Sequence, residues 1–97
     1  MTLELSPLAR LELRDARDFY DRERDGLGQE FLDEIEALLA RAAESPTQFP
    51  HVRRSRARRA LAERFPYQIV FFVFPDRVRV IAVAHQHRRP SYWRDRS

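Results

Sequence analysis

The chain has 97 residues, a length typical of one domain, and we predict a single domain over residues 1–97. Hydrophobic residues make up 43% and charged residues 34%, which is typical of a globular rather than a disordered protein. There is no cysteine, which excludes disulfides, thiolate zinc sites and cysteine nucleophiles. The first residues are rich in charge, and the longest apolar run, residues 69–74, is far shorter than the ~20 residues that span a bilayer. We therefore expect a soluble, cytoplasmic protein with neither a signal peptide nor a membrane partner.

Charge divides the chain into two unlike halves. Residues 1–50 hold six arginines against twelve acidic residues, whereas residues 51–97 hold twelve arginines against three acidic residues. All 18 of these basic residues are arginine, and the sequence contains no lysine. A half with a net charge of +9 indicates an anionic partner. Nucleic acid, an acidic protein segment and the acidic half of the same fold all remain candidates for that partner.

The first half reads as a short strand followed by two helices. Residues 2–5 alternate as in a strand, and Ser6-Pro7 marks a helix start, with Ser6 as the N-cap. Gly26 is expected to close this first helix as a left-handed C′ residue. The predicted apolar stripe of the first helix contains Ala9, Leu13, Ala16 and Tyr20, widened by Phe19.

The second helix follows Leu27-Gly28 and ends at Ser45-Pro46. Its predicted apolar stripe consists of Phe31, Ile35, Leu38 and Ala42, flanked by Leu32 and Leu39. Two amphipathic helices joined by a short turn are expected to pack as an antiparallel hairpin. We interpret the acidic residues on their other faces as a solvated surface.

The second half reads as three strands. Residues 51–64 are rich in arginine and predict a weak edge strand, whereas residues 67–74 predict a central strand buried on both faces. Pro75-Asp76 supplies a turn, and residues 78–85 return as the next strand. The predicted fold is therefore α+β, in the order β–α–α–β–β–β, with a helix hairpin packed on one face of a small antiparallel sheet.

The C-terminal third carries a set of family motifs. Residues 64–71 read RFPYQIVF, residues 78–85 read VRVIAVAH and residues 88–96 read RRPSYWRDR. This pattern resembles the RelE/ParE toxin family, whose members combine an F-P-Y strand start with a V-x-H…R-x-P-x-Y-W-x-x-R ending. The resemblance extends to the order of elements over the whole chain. It implies the toxin of a type II toxin–antitoxin pair, silenced in a hetero-oligomer by a cognate antitoxin, either ParD-like or of another family.

The family has two functional branches that share one fold. ParE-like toxins inhibit DNA gyrase, and RelE-like toxins cleave messenger RNA on the ribosome. We favour the ParE-like branch, without catalysis or cofactor, because the Pro-Ser-Tyr-Trp ending and the lack of lysine resemble that branch more closely. The alternatives are a RelE-like, metal-independent endoribonuclease and a non-toxic, arginine-rich nucleic-acid-binding module.

The RelE-like alternative would need a base, an acid and cations for the phosphate. The residues available for these roles are Glu63, Arg64, His85, Arg88 and Tyr92. His85 also has a structural interpretation, as a strand-end residue in phase with Ile81 and Val83 that hydrogen-bonds at the rim of the sheet. A metal site is rejected, because a His85-x-His87 pair supplies only two ligands.

The ParE-like interpretation instead needs a surface that contacts the target. Its candidate residues are Arg58, Arg59, Arg64, His85, Arg88, Arg89 and Tyr92. The wider arginine cluster, which adds Arg53, Arg54 and Arg56, either protects an edge strand from unwanted pairing or contacts gyrase, its bound DNA or ribosomal RNA. Trp93 is expected to fold back over the sheet, with Tyr92 pointing the opposite way and available to a partner.

We also expect the antitoxin to present apolar anchors and acidic residues, and to lie across the sheet and the helix hairpin.

Overall fold

The computed structural model describes residues 1–89 and 92–96. Strand β1 spans Thr2–Leu5 and is followed by helix α1 at Pro7–Glu23 and helix α2 at Leu27–Glu44. After a short 3₁₀ turn at Pro46–Gln48, three strands complete the fold: β2 at Arg58–Leu61, β3 at Tyr67–Val73 and β4 at Arg77–His85. The predicted α+β class and element order are confirmed.

The four strands lie in the order β1-β4-β3-β2. Strand β3 pairs antiparallel with both neighbours, whereas β1 runs parallel to β4, with Leu3 opposite Val78 and Leu5 opposite Val80. The sheet is therefore mixed rather than wholly antiparallel. The apolar pattern of a strand is the same in either direction, so local sequence contained no signal for pairing the first strand with the last.

The start of α1 is as predicted, but the turn between the helices is not. The Oγ of Ser6 accepts a hydrogen bond from the N–H of Ala9 at 3.1 Å, and Pro7 is the first helical residue. Helix α1 already ends at Glu23, so Gly26 is not its C′ residue. Instead Gly26, with a φ of 87°, is the left-handed N-cap of α2.

Gly28 lets the two helices approach closely. A Cβ atom at this position would lie 2.5 Å from the carbonyl oxygen of Arg17, and the N–H of Gly28 donates to the carboxylate of Asp21 at 2.7 Å. The predicted helix hairpin therefore closes through a backbone contact that only glycine permits. Within the described residues, no helix combines the length and the apolar character that crossing a membrane requires.

The helix hairpin covers one face of the sheet. The main stripe residues of α2, which are Phe31, Ile35, Leu38 and Ala42, are all buried, as predicted. They pack with Ala9 and Ala16 of α1 and with sheet residues that include Ile69, Phe71, Val80 and Val83.

Phe19 does not belong to this core, and its predicted position was wrong. The residue is 48% exposed. Its neighbour Tyr20 already fills that end of the core, with its ring 5.1 Å from the ring of Phe31 and 4.9 Å from that of Phe65. Phe19 is therefore left on the outer face of α1.

The opposite face of the sheet has a smaller core built around Trp93. This residue is 4% exposed and packs with Ala57, Val70, Ile81 and Ala82. The prediction that Trp93 folds back over the sheet is confirmed.

A β-bulge in β4 decides which residues face which core. Val70 lies opposite Ala82 and Phe71 lies opposite Val80, so Ile81 is the inserted residue. Ile81 consequently joins the Trp93 core, while Val83 joins the core beneath the helices. The predicted phase of the strand end was therefore wrong for Ile81, because simple alternation does not account for an inserted residue.

The predicted edge strand over residues 51–64 is much shorter than expected. Strand β2 has four residues, and His51 adds only a single bridge to Arg58. Between them the chain turns, closed by a hydrogen bond from the N–H of Ser55 to the carbonyl of Val52 at 3.0 Å. Arg54 lies in this turn with a φ of 60°, a left-handed conformation that costs a residue with a side chain roughly 1–2 kcal/mol. Contacts from outside the turn must therefore stabilise it.

Candidate functional site

The predicted site residues of the C-terminal third gather near one end of the sheet, where β2 and β4 end and β3 begins. Gln86 joins the two connections at this end. Its N–H donates to the carbonyl of Pro66 at 2.7 Å, and its side-chain amide donates to the carbonyl of Tyr67 at 2.9 Å. The loop of residues 62–66 and the turn of residues 85–88 therefore lie side by side.

His85 is half-buried at the end of β4, opposite Tyr67 of β3. Its Nδ1 accepts a hydrogen bond from the backbone N–H of His87 at 3.0 Å. In a neutral imidazole the other ring nitrogen then carries the proton. The basic nitrogen of His85 is thus already bonded to the backbone.

The rings of His85 and His87 lie 5.2 Å apart. Over residues 1–89 and 92–96, no group of three or more His, Cys, Asp or Glu side chains is arranged to hold a metal ion.

Glu12, which no sequence pattern singled out, lies at the centre of the site. Its side chain is 16% exposed and accepts three hydrogen bonds. The donors are the hydroxyl of Tyr92 at 2.7 Å, the guanidinium of Arg96 at 2.9 Å and the backbone N–H of Val83 at 3.0 Å. Its spacing could have indicated an inward-facing position, because Glu12 lies three residues after the buried Ala9 and four before the buried Ala16, on the same face of the helix.

Tyr92 is held in place rather than free. Burial and the hydrogen bond to Glu12 raise the pKa of its hydroxyl. Its ring lies 4.0 Å from the guanidinium carbon of Arg88 and 4.9 Å from that of Arg96. The side chain therefore attaches the C-terminal segment to α1. Two positions of the PSYW ending, Pro90 and Ser91, lie outside the described residues.

A shallow groove of about 260 Å³ separates α1 from the end of β4. Residues lining it include Glu12 and Phe19 of α1 and, from the sheet side, Tyr67, His85 and Arg88. Arg88 and Arg89 are both exposed in the turn that follows β4. This groove and turn bring together three of the predicted target-binding residues.

Glu63 and Arg64 are bonded to α2 instead. Their backbone N–H groups both donate to Oε2 of Glu34, at 2.7 and 2.9 Å. The guanidinium of Arg64 donates to Oε1 of Glu30 at 2.9 Å.

The five residues considered for RNA cleavage do not form one connected cluster. In the part of the chain that the structure describes, neither a hydrogen bond nor an ion pair joins Glu63 or Arg64 to His85, Arg88 or Tyr92.

The two predicted target-binding arginines of β2 differ from each other. Arg58 is half-buried, and its guanidinium donates to the carbonyl oxygens of Phe49 at 2.6 Å and Thr47 at 3.3 Å. Arg58 therefore connects the preceding loop to the sheet through hydrogen bonds. Arg59, by contrast, is exposed.

The acidic and basic halves of the chain bind each other. Hydrogen bonds from Arg77 and Arg79 to Glu4, at 2.9 and 3.0 Å, lower the pKa of that carboxyl. The bond from Arg64 likewise lowers the pKa of Glu30. The expectation of a solvated acidic surface on the helices was wrong for three carboxylates, because their partners are distant in sequence: Glu12, Glu30 and Glu34.

Comparisons with known proteins agree with this architecture. A sequence model of the family described as the ParE toxin of the type II toxin–antitoxin system parDE matches residues 3–90. No curated protein sequence matches the chain. A solved structure of the chromosomal ParDE TA system from P. aeruginosa has the same fold, with a TM-score of 0.66 at 15% sequence identity, over 88% of this chain and 95% of that chain. Because the family match covers most of its length, the chain belongs to the ParE toxin family of type II toxin–antitoxin systems.

Proposed function

We propose that this toxin acts by binding and inhibiting DNA gyrase, and that its cognate antitoxin neutralises it. We favour gyrase inhibition over RNA cleavage because the two candidate proton-transfer groups, Tyr92 and His85, are already engaged in hydrogen bonds within the protein. The hydroxyl of Tyr92 is bonded to Glu12, and Nδ1 of His85 is bonded to the backbone of His87.

Metal-independent RNA cleavage requires a base that removes a proton and an acid that protonates the leaving oxygen. The raised pKa of Tyr92 makes its hydroxyl a weaker acid. Glu63, the one carboxylate among the residues considered for RNA cleavage, is on a different loop that is bonded to α2. These features support inhibition by binding, for which no proton transfer is needed.

We propose that gyrase contacts the groove beside α1 and the turn after β4. His85 is half-buried there, and Arg88 and Arg89 are exposed. The planar guanidinium of Arg88 is stacked on Tyr92, so it is oriented before any partner binds. Oriented arginines of this kind are common energetic centres of protein interfaces.

We expect His85→Ala to leave inhibition of gyrase supercoiling largely intact, because the half-buried ring is already bonded to the backbone of His87 and binding needs no proton transfer. Arg88→Ala combined with Arg89→Ala, which removes two exposed charges, should instead weaken inhibition about 10-fold or more. The measurement is a supercoiling assay with purified toxin, run beside a cleavage assay on ribosome-bound message. Arg10→Ala is the matched control, because Arg10 is exposed on α1 and is not among the residues that line the groove.

Cleavage of ribosome-bound message that falls about 10²- to 10⁴-fold in His85→Ala would establish the RelE-like alternative and exclude the gyrase proposal. If expression of the wild-type chain does not arrest bacterial growth, the protein is instead a non-toxic nucleic-acid-binding module.

The antitoxin is proposed to cover the outer face of α1. Three large apolar side chains are exposed along this helix, namely Leu8, Leu11 and Phe19. Arginines lie near both ends of this row: Leu8 shares a groove with Arg79 and Arg96, and Phe19 shares one with Arg88. An amphipathic segment with apolar anchors and acidic flanks fits such a surface.

We expect Phe19→Ala to weaken binding of the antitoxin about 10- to 30-fold while leaving thermal stability unchanged, because this ring is exposed in the free toxin. Isothermal titration with the antitoxin encoded beside the toxin measures the affinity. Leu61→Ala, an equally exposed apolar residue at the β2 edge, is the control. Weaker binding by Leu61→Ala alone would move the antitoxin to the sheet edge.

A further inference from the structure

Three arginines in the loop before β2 have no counter-charge among the residues that the structure describes. Four arginines of the basic half are ion-paired with carboxylates of the acidic half: Arg64, Arg77, Arg79 and Arg96. In contrast, the side chains of Arg53, Arg54 and Arg56 are exposed and form neither an ion pair nor a hydrogen bond with any described residue. We refer to Arg53, Arg54 and Arg56 as the arginine turn.

The backbone of the arginine turn is fixed by contacts from several directions. The guanidinium of Arg94 donates to the carbonyl oxygens of Arg53 at 2.8 Å and Arg54 at 3.3 Å. The N–H of Ala57 donates to the hydroxyl of Ser55 at 3.0 Å. These contacts hold Arg54 in its left-handed conformation. A fixed backbone loses little conformational freedom on binding, so the turn is prepared for a partner.

The arginine turn itself contains no apolar side chain, and the phenylalanines that share a groove with Arg56, Phe72 and Phe74, are half-buried. Residues 53–56 read RRSR. The exposed large hydrophobic residues of the described chain lie elsewhere, at Met1, Leu8, Leu11, Phe19 and Leu61. Binding to a protein usually depends on apolar or aromatic anchors, whereas binding to a nucleic-acid backbone is dominated by charge. The chemistry of the turn therefore favours phosphate groups over an acidic protein segment.

We propose that the arginine turn binds the sugar–phosphate backbone of duplex DNA. The DNA in question is that held by gyrase, an identification that rests on the proposed function. Three phosphate contacts alone bind DNA weakly. The logarithm of the binding constant should fall with the logarithm of the salt concentration with a slope of about −2.7. Simultaneous binding to gyrase would raise the effective concentration of DNA at the turn, so a weak contact becomes useful.

The test is a salt titration of the whole toxin with short duplex DNA of mixed sequence, followed by fluorescence anisotropy. For wild type, affinity should fall about 40-fold between about 50 and about 200 mM salt. The triple variant R53Q/R54G/R56Q should bind weakly with an almost flat slope. Glycine at position 54 suits the left-handed backbone, so this variant should keep the melting temperature of wild type.

The control variant R10Q/R14Q/R22Q removes the same net charge from exposed positions of α1 and should keep the wild-type slope. Equal loss of DNA affinity in both variants would overturn the proposal, because net charge alone would explain binding. Unchanged DNA affinity in the turn variant, with weaker antitoxin binding, would overturn it in favour of an acidic protein partner.

A second measurement separates this proposal from the proposed function. Affinity of the toxin for gyrase is measured with and without duplex DNA, and DNA should strengthen binding of wild type but not of the turn variant. If DNA has no such effect while wild type still inhibits gyrase, the DNA contact is wrong and the gyrase target stands. If the turn binds duplex DNA but the toxin does not bind gyrase, the gyrase target is wrong and the DNA contact stands.

Discussion

Trp93→Ala should lower the free energy of unfolding by about 3–5 kcal/mol, because it empties the centre of the core on the sheet face opposite the helices. In the native protein the indole packs with Val70 and Ile81, and nothing else of its size covers that face among the described residues. The neighbouring contacts of Tyr92 and Arg94 should weaken with it, since Trp93 anchors the segment that carries them. Urea denaturation measures the loss.

Trp93→Phe supplies the matched comparison. It retains an aromatic ring of smaller volume and should cost less than half as much as alanine. Arg89→Ala, a change at an exposed position, serves as the surface control and should be near neutral. A loss below about 1 kcal/mol for Trp93→Ala would mean that the C-terminal segment does not pack on the sheet.

Glu12→Ala should destabilise the protein by about 3–5 kcal/mol, because it leaves a largely buried guanidinium without its counter-charge. Arg96 is 16% exposed and is paired with Glu12 at 2.9 Å. The same change also removes the acceptor of the Tyr92 hydroxyl and of the Val83 N–H. The loss is again measured by urea denaturation. Glu23→Ala, at an exposed acidic residue of the same helix, is the control and should have little effect.

A double-mutant cycle with Tyr92→Phe tests whether this cluster acts as a unit. Removing the hydroxyl should cost less in the Glu12→Ala background than in wild type, because its partner is already absent. Strictly additive losses would show that the bond between Tyr92 and Glu12 does not contribute to stability.

Several parts of this molecule followed from local sequence. The Ser6-Pro7 start of α1 and the buried stripe of α2 were predicted because capping chemistry and helical periodicity act over a few residues. The central strand and the buried position of Trp93 followed from apolar character alone. The family motifs lie in this same C-terminal region, so toxin family membership was also within reach of the sequence.

The composition of the candidate site was only partly predictable. His85 and Arg88, both candidate residues from the family motifs, do line one groove. Arg64 and Tyr92, however, are bonded to carboxylates of the two helices. Residue type indicates what a side chain can bind, but it does not indicate which partner 30 or 80 residues away will be within reach.

What the sequence determined by itself was the order of elements, the apolar face of α2, the apolar character of the central strands, and the excess of positive charge in the second half. Tertiary structure alone decided the parallel pairing of β1 with β4, the bulge at Ile81, and the use of Glu12 as the acceptor for Tyr92 and Arg96. It also decided which arginines are paired with carboxylates and which, in the arginine turn, have no such partner within residues 1–89 and 92–96. The physical reason is range: capping and periodicity act between neighbours in the chain, whereas strand pairing and ion pairing act between neighbours in space.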